Sequence, residues 1–192
     1  MKNTCNLILI PAIAIAVLAG FGCAGHKGCC QKESAGCSKT AATTPAASAA
    51  PVKATLKVVK VDSEETAGQD GKCANAVDGD PNTIWHTQWQ DATPECPHEI
   101  VIELTPATTI KGFTYLPRPD DSENGTIKGY EFYVSNDGQD FGQPVASGEF
   151  ENSKELKSVT FAPKACHFIK LKALSEVNGG AWTSVAEIGV LQ

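Results

Sequence analysis

The run IKGYEFYVS, Ile127 to Ser135, alternates apolar and polar side chains at a period of two. In an extended strand this turns Tyr130, Phe132 and Val134 to one face and Glu131 to the other. A helix would scatter the same residues around its circumference, so the stretch reads as a half-buried strand. On either side the pattern repeats. EIVIEL turns Ile100, Ile102 and Leu104 inward, and FIKLKAL turns in Ile169, Leu171 and Ala173 while Lys170 and Lys172 face out. TIKGFTYL, LKSVTF and AEIGV continue the series, and LKVVKV opens it. Turn-forming clusters (SNDGQDFG, SGEFENSKE, EVNGGA) separate these runs, and no stretch from 99 to 192 holds a helical period. Seven or eight short strands at this spacing predict an all-β, two-sheet antiparallel β-sandwich.

The N-terminal quarter belongs to another class. Lys2 precedes an apolar run from Leu7 to Phe21, broken by Pro11 and Gly20 and followed by Gly22-Cys23. This is short and one-sided for a membrane span and reads as a signal peptide, residues 1–22. The Gly22-Cys23 pair suggests cleavage there and lipidation of Cys23, as in a bacterial lipoprotein; plain secretion is the alternative. Residues 23–54 are rich in Ala, Thr, Ser, Gly and Pro and read as a disordered linker. Residues 55–192 form one domain of ordinary size. The expected location is therefore exported, on a membrane-anchored lipoprotein in the periplasm or at the cell surface, with the lipid anchor as its only membrane contact.

The charges separate in the same way. The linker carries four lysines against one glutamate, whereas the domain carries 11 Lys/Arg against 21 Asp/Glu, a net of −10. An acidic domain repels phosphate backbones, which argues against a nucleic-acid partner. Of eight cysteines, the domain keeps Cys73, Cys96 and Cys166. Cys96 and Cys166 each precede an alternating run, so a disulfide joining two neighbouring strand starts is one expectation for an exported chain. Cys73 is then free or paired with the linker. In the linker, His26, Cys29, Cys30 and Cys37 contain soft-metal donors at no established zinc spacing.

One segment is too polar and too broken for a strand. NAVDGDPNTIWHT, Asn75 to Thr87, places Asp78, Asp80 and the Thr83 hydroxyl around a glycine and a proline, a supply of oxygen suited to a hard cation. An ordinary acidic turn is the alternative.

Taken in order, Trp85-His86-Thr87, PHEIVIEL, Tyr115-Leu116-Pro117-Arg118, NGTIKGYEFYVSNDGQDFG and AWTSVAEIGV resemble the discoidin (coagulation factor V/VIII type C) superfamily. The likeness is to its sugar-binding branch, the family 32 carbohydrate-binding modules, and it runs from about residue 56 to residue 192. It implies a jelly roll with the galactose-binding-domain-like fold, and a structural calcium ion at the matching positions Asp78, Asp80, Thr83 and Glu187. It also implies a galactose-type or amino-sugar site at His86, Arg118, Asn124 and Trp182, with a glycan as partner. Such a site needs polar side chains that reach two hydroxyls each and an aromatic for the C–H face of the ring.

Each of these residues also has a plainer role. His86 beside Trp85 could pack, Arg118 could pair with Asp120 or Asp121, Asn124-Gly125 fits a turn, and Trp182 could be core. Trp89 and Tyr115 either line the same site or lie beneath it. The run PDDSE between Arg118 and Asn124 and the loop from Gln88 to Pro97 depart from the family pattern.

An enzyme is not expected: no acid/base carboxylate pair or G-x-S-x-G nucleophile motif is recognisable, and His98 and His167 adjoin strand starts where packing suits them. Cell-surface adhesion to a protein partner is the alternative function. Phospholipid capture is disfavoured by Asp91, Glu95, Asp120, Asp121 and Glu123 at the expected binding end.

Overall fold

Antiparallel pairing of the alternating runs builds the domain. The computed structural model describes residues 52–192. The expected signal peptide, the Cys23 lipidation site and the linker cysteines lie outside the described residues. Eight strands follow one another: β1 (Thr55–Val61), β2 (Trp85–His86), β3 (His98–Leu116), β4 (Gly129–Ser135), β5 (Ala146–Glu149), β6 (Lys157–Ala173), β7 (Ser184–Val185) and β8 (Glu187–Leu191). The only helical turn among the described residues is a 3₁₀ turn, Cys73–Val77.

Two strands are much longer than the alternating runs suggest. EIVIEL and TIKGFTYL are halves of one 19-residue strand, β3, and LKSVTF and FIKLKAL are halves of the 17-residue β6. β3 pairs antiparallel with β6 along most of its length, with the register shifting between Glu103 and Thr108. Pro106 lies in that shift, where it has no N–H to give to the ladder. The first half of β3 takes β1 on its other edge, and the second half takes β8. β4 pairs with the second half of β6, and β5 with β4. Two bent strands thus run through both layers of the sandwich, which explains why short runs of alternation were visible where long strands exist.

The inward residues meet between the layers. Ile100, Ile102, Leu104, Phe113, Phe132, Ile169 and Leu171 are buried. Phe113 stacks on Phe132 at 4.0 Å, and Tyr130 on Phe150 at 4.2 Å; aromatic pairs of this kind add about 0.5–1.5 kcal/mol beyond area burial. Lys170 faces out as the alternation requires, covering the rings of Tyr133 and Phe141. Ala54, the last residue of the expected linker, is buried in this core.

The disulfide expectation fails: Cys73, Cys96 and Cys166 all carry free thiols. β3 and β6 are neighbours, but antiparallel pairing sets His98 opposite Ala173 and Thr108 opposite Cys166. The starts of the two strands are therefore at opposite ends of the ladder, and the cysteines beside them cannot meet.

Candidate functional site

The two shortest strands bring two separate loop segments together. β2 pairs with β7, Trp85 with Val185 and His86 with Ser184, which joins the end of NAVDGDPNTIWHT to AWTSVAEIGV. Trp85 faces the core and donates its indole N–H to Ser63 O at 2.9 Å. A reciprocal clasp continues the pairing: Thr87 N donates to Thr183 O, and Thr183 N donates to Thr87 Oγ1, both at 2.9 Å. Ser184 N donates to Gly125 O at 2.7 Å, drawing in the loop after β3. Gly125 has φ +83° and a Cβ there would stand 2.6 Å from Ser184 N, so both conformation and space require glycine. Beneath them Tyr115 accepts from Ile127 N at 3.1 Å and donates to Ser184 O at 3.3 Å. Tyr115 thus packs under the site, and burial pushes its phenol far up.

These contacts leave a cleft of about 280 Å³ lined by Gln69, His86, Trp89, Arg118, Ser122, Asn124 and Trp182. All four residues expected to hold a sugar lie on it. His86 is buried, and its Nδ1 lies 2.7 Å from Thr87 O. A carbonyl only accepts, so Nδ1 carries the ring proton and Nε2 remains an acceptor. Burial, helped by the Arg118 charge, lowers the His86 pKa against the pull of the Thr87 carbonyl. His86 is accordingly neutral at pH 7.

Arg118 plays both of its suggested parts. Nε and Nη2 donate to the two oxygens of Asp120 at 2.6 and 2.7 Å, and Nη1 donates to Asn124 O at 3.1 Å. The fork is held by its own loop, and its remaining N–H groups are left for the cleft. Asp120 is held low chiefly by the Arg118 hydrogen bond, against a smaller desolvation cost. The acidic run is thereby spent on loop architecture: Glu123 likewise accepts from Asn152 Nδ2 and Asn178 Nδ2. Asn124 is exposed, with its side chain free at the rim.

Two contributors escaped the sequence reading, Gln69 and Glu65. Gln69 lines the cleft, and its Nε2 is buried without a hydrogen-bond partner; Trp182 Nε1 is in the same condition. Two orphaned donors on one cleft suit a ligand rich in acceptor oxygens. Trp89 is 38% exposed and belongs to the cleft wall rather than to the layer beneath. Glu65 never touches the cleft but sets its floor. Oε1 accepts from Ala67 N and Gly68 N at 2.7 and 2.8 Å, and Oε2 from Trp89 N and Gln90 N, both at 2.8 Å. One carboxylate thus pins the Gln69 loop to the Trp89 loop. The Gly68 amide is the largest of the contributions, with those of Trp89, Gln90 and Ala67, that bring its value down to about 2 against desolvation. No local pattern marks Glu65, because its partners are up to 25 residues away.

On the flank of the same segment, the acidic loop meets β8. Glu187 Oε1 accepts from Gly79 N at 2.7 Å, and Asp78 Oδ2 from Thr83 Oγ1 at 2.8 Å. Burial raises the Glu187 pKa, and the nearby Asp78 and Asp80 carboxylates raise it further. Asp80 Oδ1 also accepts from Asn82 N and Nδ2, both at 2.9 Å, and the Asp80 carbonyl lies 3.0 Å from the Thr83 hydroxyl. Among the described residues no three acidic, histidine or cysteine side chains close around one point. The donor set is Asp78 and Glu187 with the Thr83 hydroxyl and backbone carbonyls, which suits a hard cation and no soft one.

Residues 59–188 match the family model of the F5/8 type C domain. A sialidase of Micromonospora viridifaciens is 40% identical over 139 residues, covering 72% of this chain and 21% of the sialidase. A galactose oxidase of Gibberella zeae is 36% identical over 129 residues, covering 67% of this chain and 19% of the oxidase. The chain spans about a fifth of the length of these curated relatives. Among solved structures, CpGH89CBM32-5 of Clostridium perfringens, in complex with GalNAc-β-1,3-galactose, is 37% identical with a TM-score of 0.65, covering 72% of this chain and 96% of that one. The family 32 carbohydrate-binding module of C. perfringens NanJ, in complex with galactose, is 32% identical with a TM-score of 0.62, covering 72% and 97%. With the sandwich, the cleft-bearing end and these matches in agreement, the chain belongs to the F5/8 type C (discoidin) domain family, and its structural neighbours are family 32 carbohydrate-binding modules.

Proposed function

We propose that the domain is a non-catalytic carbohydrate-binding module that takes a galactose-like or amino-sugar residue in the cleft. The observation that carries this reading is the convergence on one cleft of an aromatic platform, Trp182, with acceptor His86, donor Arg118 and rim amide Asn124. A pyranose presents both an apolar C–H face and hydroxyls that donate and accept, and this set answers each of those features. Gln69 Nε2 adds a donor that no group of the described residues satisfies. The two cited C. perfringens modules, solved with galactose or GalNAc-β-1,3-galactose, support the sugar class.

A single shallow site of this kind gives a Kd of about 0.1–1 mM, or about −4 to −5.5 kcal/mol, so useful capture rests on several copies engaging one glycan surface. Calorimetric titration with galactose, N-acetylgalactosamine and glucose is expected to give heat with at least one. Silence from all three and a blank glycan array would overturn the reading in favour of protein adhesion. The N-terminal residues support export with a lipid anchor on Cys23, which metabolic labelling with a palmitate analogue tests in wild type against Cys23→Ala.

A structural calcium ion belongs to the same proposal, with Asp78, Thr83 and Glu187 as side-chain ligands and Asp80 contributing through its carbonyl. Its support is the crowding of the Asp78 and Glu187 carboxylates across two segments of chain, a repulsion that a divalent cation relieves. At 100-fold excess over its Kd the ion adds about 2.7 kcal/mol, so chelation is expected to lower the melting temperature by about 10 °C at pH 7. The drop shrinks at pH 5, where protonation of the raised Glu187 competes with the metal. An Asp78→Ala/Glu187→Ala variant should melt low with or without chelator. An unchanged wild-type melt on chelation removes the claim.

A further inference from the structure

His98 opens β3 and is fully buried, yet it is not packed as an apolar ring. Nδ1 lies 2.6 Å from Asp62 Oδ2, and Nε2 lies 2.7 Å from Ala181 O. A carboxylate and a carbonyl are both acceptors, so both ring nitrogens donate and the ring is an imidazolium. Asp62 is itself held, because its other oxygen accepts from Glu99 N at 2.8 Å. Ala181 immediately precedes Trp182, the platform of the cleft. The preceding turn hangs on Glu176, whose Oε2 accepts from Asn178 N and Gly180 N, and the following residue is clasped by Thr87. Between those anchors the Ala181 carbonyl takes His98 Nε2–H and, more weakly, the Cys96 thiol at 3.7 Å.

We propose that doubly protonated His98 is the positioning residue that holds Ala181 and the Trp182 indole in place, so that glycan capture weakens as pH rises and His98 loses its proton. This rests on the glycan-binding reading of the cleft. A neutral ring has one proton for two acceptors. The proton stays with the Asp62 carboxylate, and the Nε2 lone pair is left facing the Ala181 carbonyl at 2.7 Å. The two repel, the carbonyl withdraws, and the adjoining indole moves with it.

The surroundings favour the charged ring. Burial alone pulls the His98 pKa down, but the Asp62 hydrogen bond, the Ala181 carbonyl and the Asp62 charge outweigh it, and the value is raised above 6.5. Asp62 is correspondingly lowered, its burial opposing and the His98 hydrogen bond prevailing with help from Glu99 N. The groups around the ring are anionic or neutral: Asp62 after β1, Glu95 and Cys96 before β3, and Glu176 in the turn before Trp182. Desolvation, followed by the charges of Glu95, Glu176 and Asp62, raises the Cys96 thiol, so it stays protonated near neutrality. On β6, Ala173 opposite His98 has no charge, while Lys170 and Lys172 pair with Glu99. On β4, Tyr130 opposite Ala173 is raised by burial and stays a phenol. The sign follows from the raised value: the tie is complete below pH 6.5 and fades as pH climbs through the folded pKa. His86 in the cleft is shifted the other way, so affinity should peak between the two histidines.

The full chain, labelled with ¹⁵N, tests this without any ligand. Between pH 5 and 9 both His98 ring nitrogens are expected to be protonated at the acid end and one of them to lose its proton as pH rises, and the Trp182 indole N–H signal should shift with the His98 midpoint. Galactose affinity measured by calorimetry should fall about tenfold across that midpoint, the worth of one buried charge-assisted hydrogen bond. Asp62→Asn removes the carboxylate and should bring the midpoint, and the alkaline fall in affinity with it, to lower pH. His98→Gln keeps an amide donor but cannot titrate, so the alkaline fall should vanish. A His98 ring that is neutral at pH 5, or a Trp182 signal that stays flat through its titration, overturns the proposal. If galactose binds at no pH, the reading of the cleft fails, while the two nuclear resonance signals still decide the role of His98.

Discussion

Trp182→Ala is expected to remove glycan binding while leaving the fold in place. The indole lines the cleft together with His86, Arg118 and Asn124, and its N–H has no partner among the described residues. Truncating such an anchor costs at least about 2 kcal/mol, roughly a 30-fold loss, which takes a millimolar interaction out of calorimetric range. Stability should respond far less. Trp182 is half-buried and stands outside the core cluster built on Phe113, Phe132 and the β3 and β6 aliphatics. The melting temperature is expected to fall by only a few degrees. A collapse of the melt would make Trp182 a core residue and remove it from the site.

Glu65→Gln should have the second large effect, and for a different reason. No atom of Glu65 lines the cleft, yet its two oxygens take four backbone amides from the two loops that carry Gln69 and Trp89. Glutamine has one acceptor oxygen, so one loop loses its partner and meets an NH₂ group instead. Galactose affinity should drop at least tenfold, and the melt should fall further than in Trp182→Ala. The pH dependence gives a second readout. Glu65 is depressed from 4.5 to about 2 by those amides, so its contribution is complete above pH 4.5 and is lost as pH falls toward 2. Thermal melts between pH 2 and 7 should show this acid loss in the wild type and a much flatter profile in the glutamine variant. Matching profiles would show that Glu65 is not the clamp.

Much of the fold was legible because a strand with one buried face writes its orientation into every second residue. The inward sets of EIVIEL, IKGYEFYVS and FIKLKAL are buried as expected, apart from partly exposed Val134. What alternation could not convey was length. A bulge resets the alternation, so β3 and β6 each looked like two strands. The same blindness to direction produced the disulfide expectation for Cys96 and Cys166, since two alternating runs look alike whether they pair parallel or antiparallel.

The cleft was legible in part. His86, Arg118, Asn124 and Trp182 were found through an ordered set of motifs, and all four line one cleft. Gln69 and Glu65 were invisible because their significance lies in partners, or in the lack of one, across the sandwich. Asp80 shows the limit from the other side: residue type suggests a ligand, and only the structure shows that its Oδ1 also serves its own turn through Asn82.

By itself, the amino-acid sequence determined the fold class, the family and the acidic character of the domain, since hydrophobic period, motif order and charge are properties of the chain read one residue at a time. Only the tertiary structure decided how the groups act: that His86 is an acceptor, that Arg118 serves Asp120 and the cleft together, that Glu65 is a clamp and that His98 carries two protons. Protonation and hydrogen-bond direction depend on what stands within about 3 Å of an atom. For these side chains the deciding neighbours include backbone atoms of other loops, brought there by the pairing of β2 with β7 and of β3 with β6.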